Sequence, residues 1–278
     1  EKSIEYIERG LKIDQKNVEL LINLATTYGV IGNKYKAEII YKGTILEAPK
    51  NWKSYSSYAQ FLLESGRYSE SIENYEKVLK LTPHNVFALN NIAINFLYME
   101  NFDSAAKTFE KASMVEPDSA IYINTGSMYY SIGDVGKAAT FYKKAIDMQP
   151  DNYQYMIYLA DALKFDDSTA DESKKLVHSA IRFAQKEIAS NNNVAKAYQY
   201  LARSHALLGD LVKANEFMEM ADEMDSTGTE SYYSHLRIAV LEKNEERIKF
   251  YALKLIETEF SAKLLLSDPD FFYLNQDK

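Results

Sequence analysis

The 278-residue chain contains no cysteine. That excludes a disulfide framework, a Cys-ligated zinc site, a thiolate nucleophile and an iron–sulfur cluster. It leaves the compartment open, because a Cys-free chain suits the cytoplasm and the periplasm equally. Histidine is scarce: His84, His178, His205 and His235 are the four. None lies four residues from another and no His-Glu-x-x-His occurs, so a two-histidine helical metal site is missing. The ten glycines form no Gly-x-Gly-x-x-Gly and no phosphate loop. Positive charge is in deficit, with 32 Lys+Arg against 40 Asp+Glu and a net charge of −8. A phosphate-binding surface needs a dense basic stripe, so nucleic acid is not an expected partner of this segment. No apolar run reaches the ~18 residues of a membrane span, and membrane insertion is not expected. The first residues, Glu-Lys-Ser-Ile-Glu-Tyr, have no signal-peptide character. Without an initial Met, they read as the start of a piece of a longer chain. These absences lead us to expect a soluble, non-enzymatic segment, cytoplasmic or periplasmic, with no catalytic residue, cofactor or metal.

Proline is also rare, at five, but four of the five are evenly placed. Pro49, Pro83, Pro117 and Pro150 are separated by 34, 34 and 33 residues. Other residues keep the same step. Small ones fall at Ala25, Ala59, Ala93, Gly126 and Ala160, and aromatic ones at Tyr41, Tyr75, Phe109 and Tyr142. Gly32, Gly66 and Gly133 mark turns, with Glu100 in the missing place. A fixed period in this range is the mark of a repeat protein.

Each unit reads as two helices. Leu21, Leu24, Ala25 and Tyr28 form one apolar helical stripe. Gly32 breaks that helix, Ala37, Ile40, Tyr41 and Leu46 carry the second, and Pro49 stops it. Asn51, Asn85, Asp118 and Asn152 stand where they would cap the following helix. One pair cannot bury its apolar face alone, so units must stack.

This pattern resembles the tetratricopeptide repeat (TPR) family. The signature stands as Leu24-Ala25, Tyr28, Ala37, Tyr41, Pro49, and recurs as Tyr58-Ala59, Leu62, Ser71, Tyr75, Pro83. It returns as Ile92-Ala93, Phe96, Ala105, Phe109, Pro117, and again as Thr125-Gly126, Tyr129, Ala138, Tyr142, Pro150. The resemblance implies an all-α fold, an α-solenoid in which TPR helix pairs build a right-handed superhelix across residues 1–278. Regular repeats are expected at 18–51, 52–85, 86–118 and 119–152. Residues 1–17 read as the second helix of a partial repeat and 153–193 as an extended unit. A further repeat is expected at 195–226, a degenerate helix pair at 228–260, and a C-terminal capping helix within 261–278 that starts at Ser267-Asp268-Pro269.

In TPR proteins the first helices line a concave groove. The resemblance therefore implies a non-enzymatic scaffold that binds a peptide or a partner helix there. Asn23, Ser57, Asn91, Asn124 and Tyr158 occupy equivalent groove positions. Three asparagines so placed would form a partial ladder able to hold an extended peptide, each side-chain amide being both donor and acceptor. The competing reading is that these asparagines bond within their own helices. Gln60, Asn90, Ile94, Tyr98, Ser127 and Tyr130 complete the candidate groove, with Tyr98 and Tyr130 as anchors. Ile22 and Thr26 stand where a carboxylate clamp would need Lys and Asn, so chaperone-tail binding is not expected. Residues 86–276 carry a second resemblance, to the TPR regions of bacterial signalling proteins such as transcription regulators and kinases. A regulatory arm of such a protein is the alternative function. Self-association is expected through the open N-terminal end, where Ile4, Ile7 and Leu11 lack a neighbouring helix.

Overall fold

In a computed structural model, residues 2–191, 194–224, 228–258 and 260–271 are described. All regular structure among them is helical. The chain forms two compact units, Glu1–Glu116 and Pro117–Lys278.

The first unit holds α1 (Lys2–Ile13), α2 (Val18–Val30), α3 (Lys34–Glu47), α4 (Trp52–Glu64), α5 (Tyr68–Leu81), α6 (Val86–Tyr98) and α7 (Phe102–Val115). The helices pack as pairs, α2 with α3, α4 with α5 and α6 with α7. The pairing follows from the periodic residues. Ala25, Ala59 and Ala93 are completely buried, and Tyr41, Tyr75 and Phe109 almost so. A methyl group on one helix lets the aromatic ring of its partner lie close against the backbone.

Caps and turns fix where each helix begins and ends. The Asn51 and Asn85 side chains accept from the backbone N–H groups of Lys53 and Ala88, as their positions suggested. Asn33 and Asn101 cap the second helices in the same way, accepting from Lys36 and Ser104. At the turns Gly32 has φ 83° and Gly66 φ 75°, conformations that cost glycine little. The Asn33 N–H then reaches back to the Tyr28 carbonyl and the Arg67 N–H to that of Leu62, closing the α2 and α4 C-termini. Glu100 adopts the same left-handed turn at φ 54° without glycine.

One ionic group stitches the first unit across its pairs. Glu38 on α3 accepts from Tyr58 Oη at 2.9 Å and from Arg67 at 2.8 Å, and also pairs with Lys42. Arg67 holds Glu70 through two further short bonds. Burial would push the Glu38 carboxyl up, but the bonds from Lys42, Arg67 and Tyr58 hold it down to about 2.

The second unit holds α8 (Ser119–Ser131), α9 (Val135–Met148), α10 (Tyr153–Leu163), α11 (Ala170–Ser190), α12 (Ala195–Leu207), α13 (Leu211–Asp222), α14 (Thr229–Leu241), α15 (Glu245–Glu257) and α16 (Ala262–Ser267). Again α8 pairs with α9, α10 with α11, α12 with α13 and α14 with α15. Asp118 and Asn152 cap α8 and α10. The polar stretch after α10 contains a short 3₁₀ turn, Asp167–Thr169, and the long α11 starts directly behind it.

The short helix α16 ends at Ser267, capped at its start by the Ser261 hydroxyl on the Leu264 N–H. Asp268 caps the turn where a terminal helix is expected to start, its side chain accepting from the Asp270 N–H at 2.9 Å. Pro269 suits the start of such a turn, because its missing N–H would have had no partner. Residues 272–278 lie outside the described residues.

Gly126 is the variant of the small position. A Cβ built there would sit 2.6 Å from the Tyr142 ring, which is itself buried. Gly126→Ala is therefore expected to lower the stability of the second unit by about 1–2 kcal/mol in urea unfolding, although alanine favours a helix.

Glu38 yields a second prediction, one of pH. Its folded value lies below the ordinary 4.5. The stability it contributes is thus present above pH ~4.5 and is lost as pH falls towards 2. Glu38→Gln should flatten the acid limb of a melting-temperature profile, removing up to about 3 kcal/mol at neutral pH.

Candidate functional site

One repeat position, just after the small residue on each first helix, organises the candidate sites. In the regular repeats it holds Thr26, Gln60, Ile94 and Ser127. The aromatic fifteen residues later reaches it across the helix pair. The Tyr41 and Thr26 hydroxyls lie 2.8 Å apart, Tyr75 Oη donates to Gln60 Oε1 at 3.1 Å, and Tyr142 Oη donates to Ser127 at 3.3 Å. Where the position turns apolar, as Ile94, the aromatic is Phe109, which has no hydroxyl to satisfy. Gln60 and Ser127, read from sequence as groove residues, thus also serve the packing of their own repeats.

In the first unit this face forms two clefts that meet at Ser57. A cleft of about 400 Å³ lies between α2 and α4, lined by Glu19, Asn23, Trp52, Lys53 and Ser57. A second, of about 380 Å³, lies beside it and is lined by Thr26, Tyr41, Ser57, Gln60 and Phe87. The α6 asparagines behave differently. Asn91 is buried and donates to the Phe87 carbonyl of its own helix at 2.8 Å. That is the local bond that competes with a ligand-binding role. Asn90 is half-buried and keeps an Oδ1 atom without a hydrogen-bond partner among the described residues. Ile94 is half-buried and Asn124 is exposed, and neither lines the clefts described here. Tyr98 is exposed and stacks on Tyr68, with ring centroids 5.4 Å apart.

The second unit carries the denser site. There the same repeat position, followed past the regular repeats, becomes Asp161 on α10, Arg203 on α12 and Arg237 on α14. Asp161 is only 2% exposed. Its carboxylate takes both Arg203 and Arg237, the latter at 2.9 Å, and Lys164 at 3.1 Å. The C-terminal segment closes over this group. Asp270 pairs with Lys164 and Arg237 and accepts from Tyr130 Oη at 2.9 Å. Asp268 accepts from Tyr233 Oη. Arg237 also donates to Tyr130 Oη at 3.1 Å. Phe271, completely buried, meets the Tyr233 ring edge-on.

Burial and the mutual charges both shift these groups. Burial would raise the Asp161 carboxyl, yet Arg203, Arg237 and Lys164 hold it far below the ordinary range. Burial and the neighbouring arginines pull the Lys164 ammonium down to about 8, against the pull of Asp161. Burial raises Asp268, with Arg237 and Tyr233 opposing it. Beside this cluster a cavity of about 290 Å³ opens, lined by Ser127, Tyr130, Tyr158, Arg203, Tyr233 and Asp268 among others. It brings together three residues expected in the groove: Ser127, Tyr130 and Tyr158. Tyr158 contacts Tyr200, their hydroxyls 2.5 Å apart, and has the Arg203 guanidinium over its ring. Tyr130 is not an exposed anchor, since it is buried beneath the C-terminal segment.

Sequence reasoning missed Asp161, Lys164, Arg203, Arg237, Asp268 and Asp270. A signal was available. Asp161 and Arg237 interrupt the apolar runs Leu-Ala-Asp-Ala-Leu and His-Leu-Arg-Ile-Ala-Val, and Arg203 stands 34 residues before Arg237. Among the described residues no group of three or more His, Asp or Glu could hold a metal. No helix of theirs is long and apolar enough to cross a membrane.

Family models for the tetratricopeptide repeat match residues 53–85 and 90–153. The curated relatives include BBSome complex member BBS4 from Bos taurus, 24% identical over 49% of this chain and 26% of its own length. Another is the intraflagellar transport protein 88 homolog from Homo sapiens, 21% identical over 83% of this chain and 30% of its own length. The chain thus spans about a quarter to a third of these relatives. Among solved structures, a tetratricopeptide repeat protein from Parabacteroides merdae superposes with a TM-score of 0.67 at 14% identity, covering 93% of this chain and 99% of that one. The C-terminal part of a TPR repeat-containing protein from Cytophaga hutchinsonii gives 0.63 at 18% identity, covering 83% and 92%. These likenesses show the fold. None of them carries the resemblance of residues 86–276 to signalling proteins.

The geometry predicts that Asp161 is the most sensitive polar residue of the second unit. Asp161→Asn leaves two buried guanidinium groups short of a counter-charge. The expected loss is about 3–5 kcal/mol in chemical denaturation. A loss below about 1 kcal/mol would show the cluster to be solvated in solution.

Proposed function

We propose that this chain, whose residues 53–85 and 90–153 are tetratricopeptide repeats, is a non-enzymatic scaffold that binds a peptide or partner helix along the first-helix face of its repeats. One observation carries the reading. First-helix residues of successive repeats line clefts in each unit, with Asn23, Ser57 and Gln60 in the first and Ser127, Tyr130 and Tyr158 in the second. Such clefts set polar side chains around a few aromatic rings, groups that can hydrogen-bond the backbone of an extended chain and pack against its side chains. No nucleophile–base pair stands in any of them, which supports a binding role over catalysis. The wheat Hsp70–Hsp90 organizing protein, a relative at 28% identity over 36% of this chain, is named for organising other proteins. The alternative, a regulatory arm of a bacterial signalling protein, would use the same face.

A second copy of the chain is the other partner proposed. Ile4, Ile7 and Leu11 on α1 are half-buried, and Tyr6 and Ile13 beside them are 70% and 91% exposed. A monomer mass that stays constant in sedimentation up to high concentration would remove this partner.

Selection of random peptides on the immobilised chain tests the main reading. Enriched peptides should lose at least about tenfold in affinity on Ser57→Arg or on Ser127→Arg, since either side chain would fill a cleft. Failure to enrich any peptide, or indifference of all enriched peptides to both substitutions, would overturn it.

A further inference from the structure

The helix-pair repeats of the second unit leave a charge imbalance that they do not resolve themselves. Lys164, Arg203 and Arg237 converge on one carboxylate, Asp161. Two buried positive charges would remain, and a buried charge without a partner is costly. Asp268 and Asp270 supply the missing pair, from a segment that lies beyond the last helix pair. The segment behaves as a ligand would. It adds two carboxylates spaced by a proline, one buried Phe271 and one buried Leu265, while its backbone forms only a short helix and one turn. The fit is incomplete. Arg203 and Arg237 each retain a buried Nε–H without an acceptor among the described residues, and the cavity of about 290 Å³ remains open beside them.

We propose that residues 261–271 are an internal occupant of a peptide site, and that the site recognises a partner's acidic–aromatic linear motif of the form Asp-x-Asp-Phe. This deepens the reading that the first-helix face binds peptides, and rests on it. Each part of the motif has a counterpart. One carboxylate meets Lys164 and Arg237, the other the Tyr233 hydroxyl, and the aromatic ring enters the pocket of Leu236 and Leu255. The free Nε–H groups offer an incoming chain two donors that the resident segment leaves unused. A tether this short holds the resident segment at a millimolar effective concentration. Apparent affinity for a partner is then reduced by the fraction of time the site is open.

The test uses a synthetic peptide of residues 261–271, made with heavy isotopes so that mass separates it from the chain's own segment. A second peptide carries Asn in place of both aspartates. The intact chain and the variant Asp268→Asn/Asp270→Asn are titrated with each by fluorescence polarisation. Circular dichroism first establishes whether the variant is folded. The acidic peptide should bind the variant at least about tenfold tighter than it binds the intact chain, and tighter than the amide peptide does. In the intact chain, millimolar acidic peptide should raise amide exchange within 264–271, and the amide peptide should not. If the variant does not fold, the exchange measurement decides. Equal affinity of the two peptides for the folded variant, or exchange unmoved in the intact chain, would make the segment a fixed cap and overturn the proposal. Failure here, with other peptides still selected onto the Ser57 clefts, would leave the broader binding reading standing. Failure of both would remove the two together.

Discussion

The structure depends on one close approach, a methyl group or a hydrogen on a first helix set against an aromatic ring on its partner. Ala25, Ala59, Ala93, Gly126 and Ala160 are all buried, and Tyr41, Tyr75, Phe109 and Tyr142 lie among them. Everything that repeats in the chain serves that approach. The Asn and Asp caps set where each helix starts, and the left-handed turns set how soon the next one begins. A larger side chain at the small position would separate the helices and expose the ring. Gly126, with Tyr142 close against its Cα, shows how little room is left.

The fold was legible in the sequence because its constraints are local and periodic. Proline, glycine and alanine each do one thing at one repeat position, and four copies expose the period. At Asp-Pro-Asp the capping signal was legible, since Asp268 accepts from the Asp270 N–H, and the short helix α16 stands just before it.

The candidate site was only partly legible. Asn23, Ser57, Ser127, Tyr130 and Tyr158 do line cavities, since repeat register alone decides which face a residue takes. Asn91 does not, because an amide on a helix has a carbonyl one turn away as a ready partner. The ionic cluster escaped notice because its members come from separate repeats, and conventional repeat reading attends to the residues that stay the same. The informative position is one that changes: Thr26, Gln60, Ile94 and Ser127 give way to Asp161, Arg203 and Arg237. While the position is polar and uncharged, or apolar, it answers to the aromatic of its own repeat. Once charged, it answers to other repeats and to the C-terminal segment.

The cluster also bears on how the second unit comes apart. In a simple array each repeat touches only its neighbours, so stability is close to a sum of local terms and ends can fray independently. Asp161 and Arg237 are 76 residues apart, and Tyr130 and Asp270 are 140 apart. Bonds of that reach tie the first helix pair of the unit to its final turn. Loss of Asp270 would thus be felt at α8, and denaturation should proceed in a single cooperative step rather than by peeling from one end.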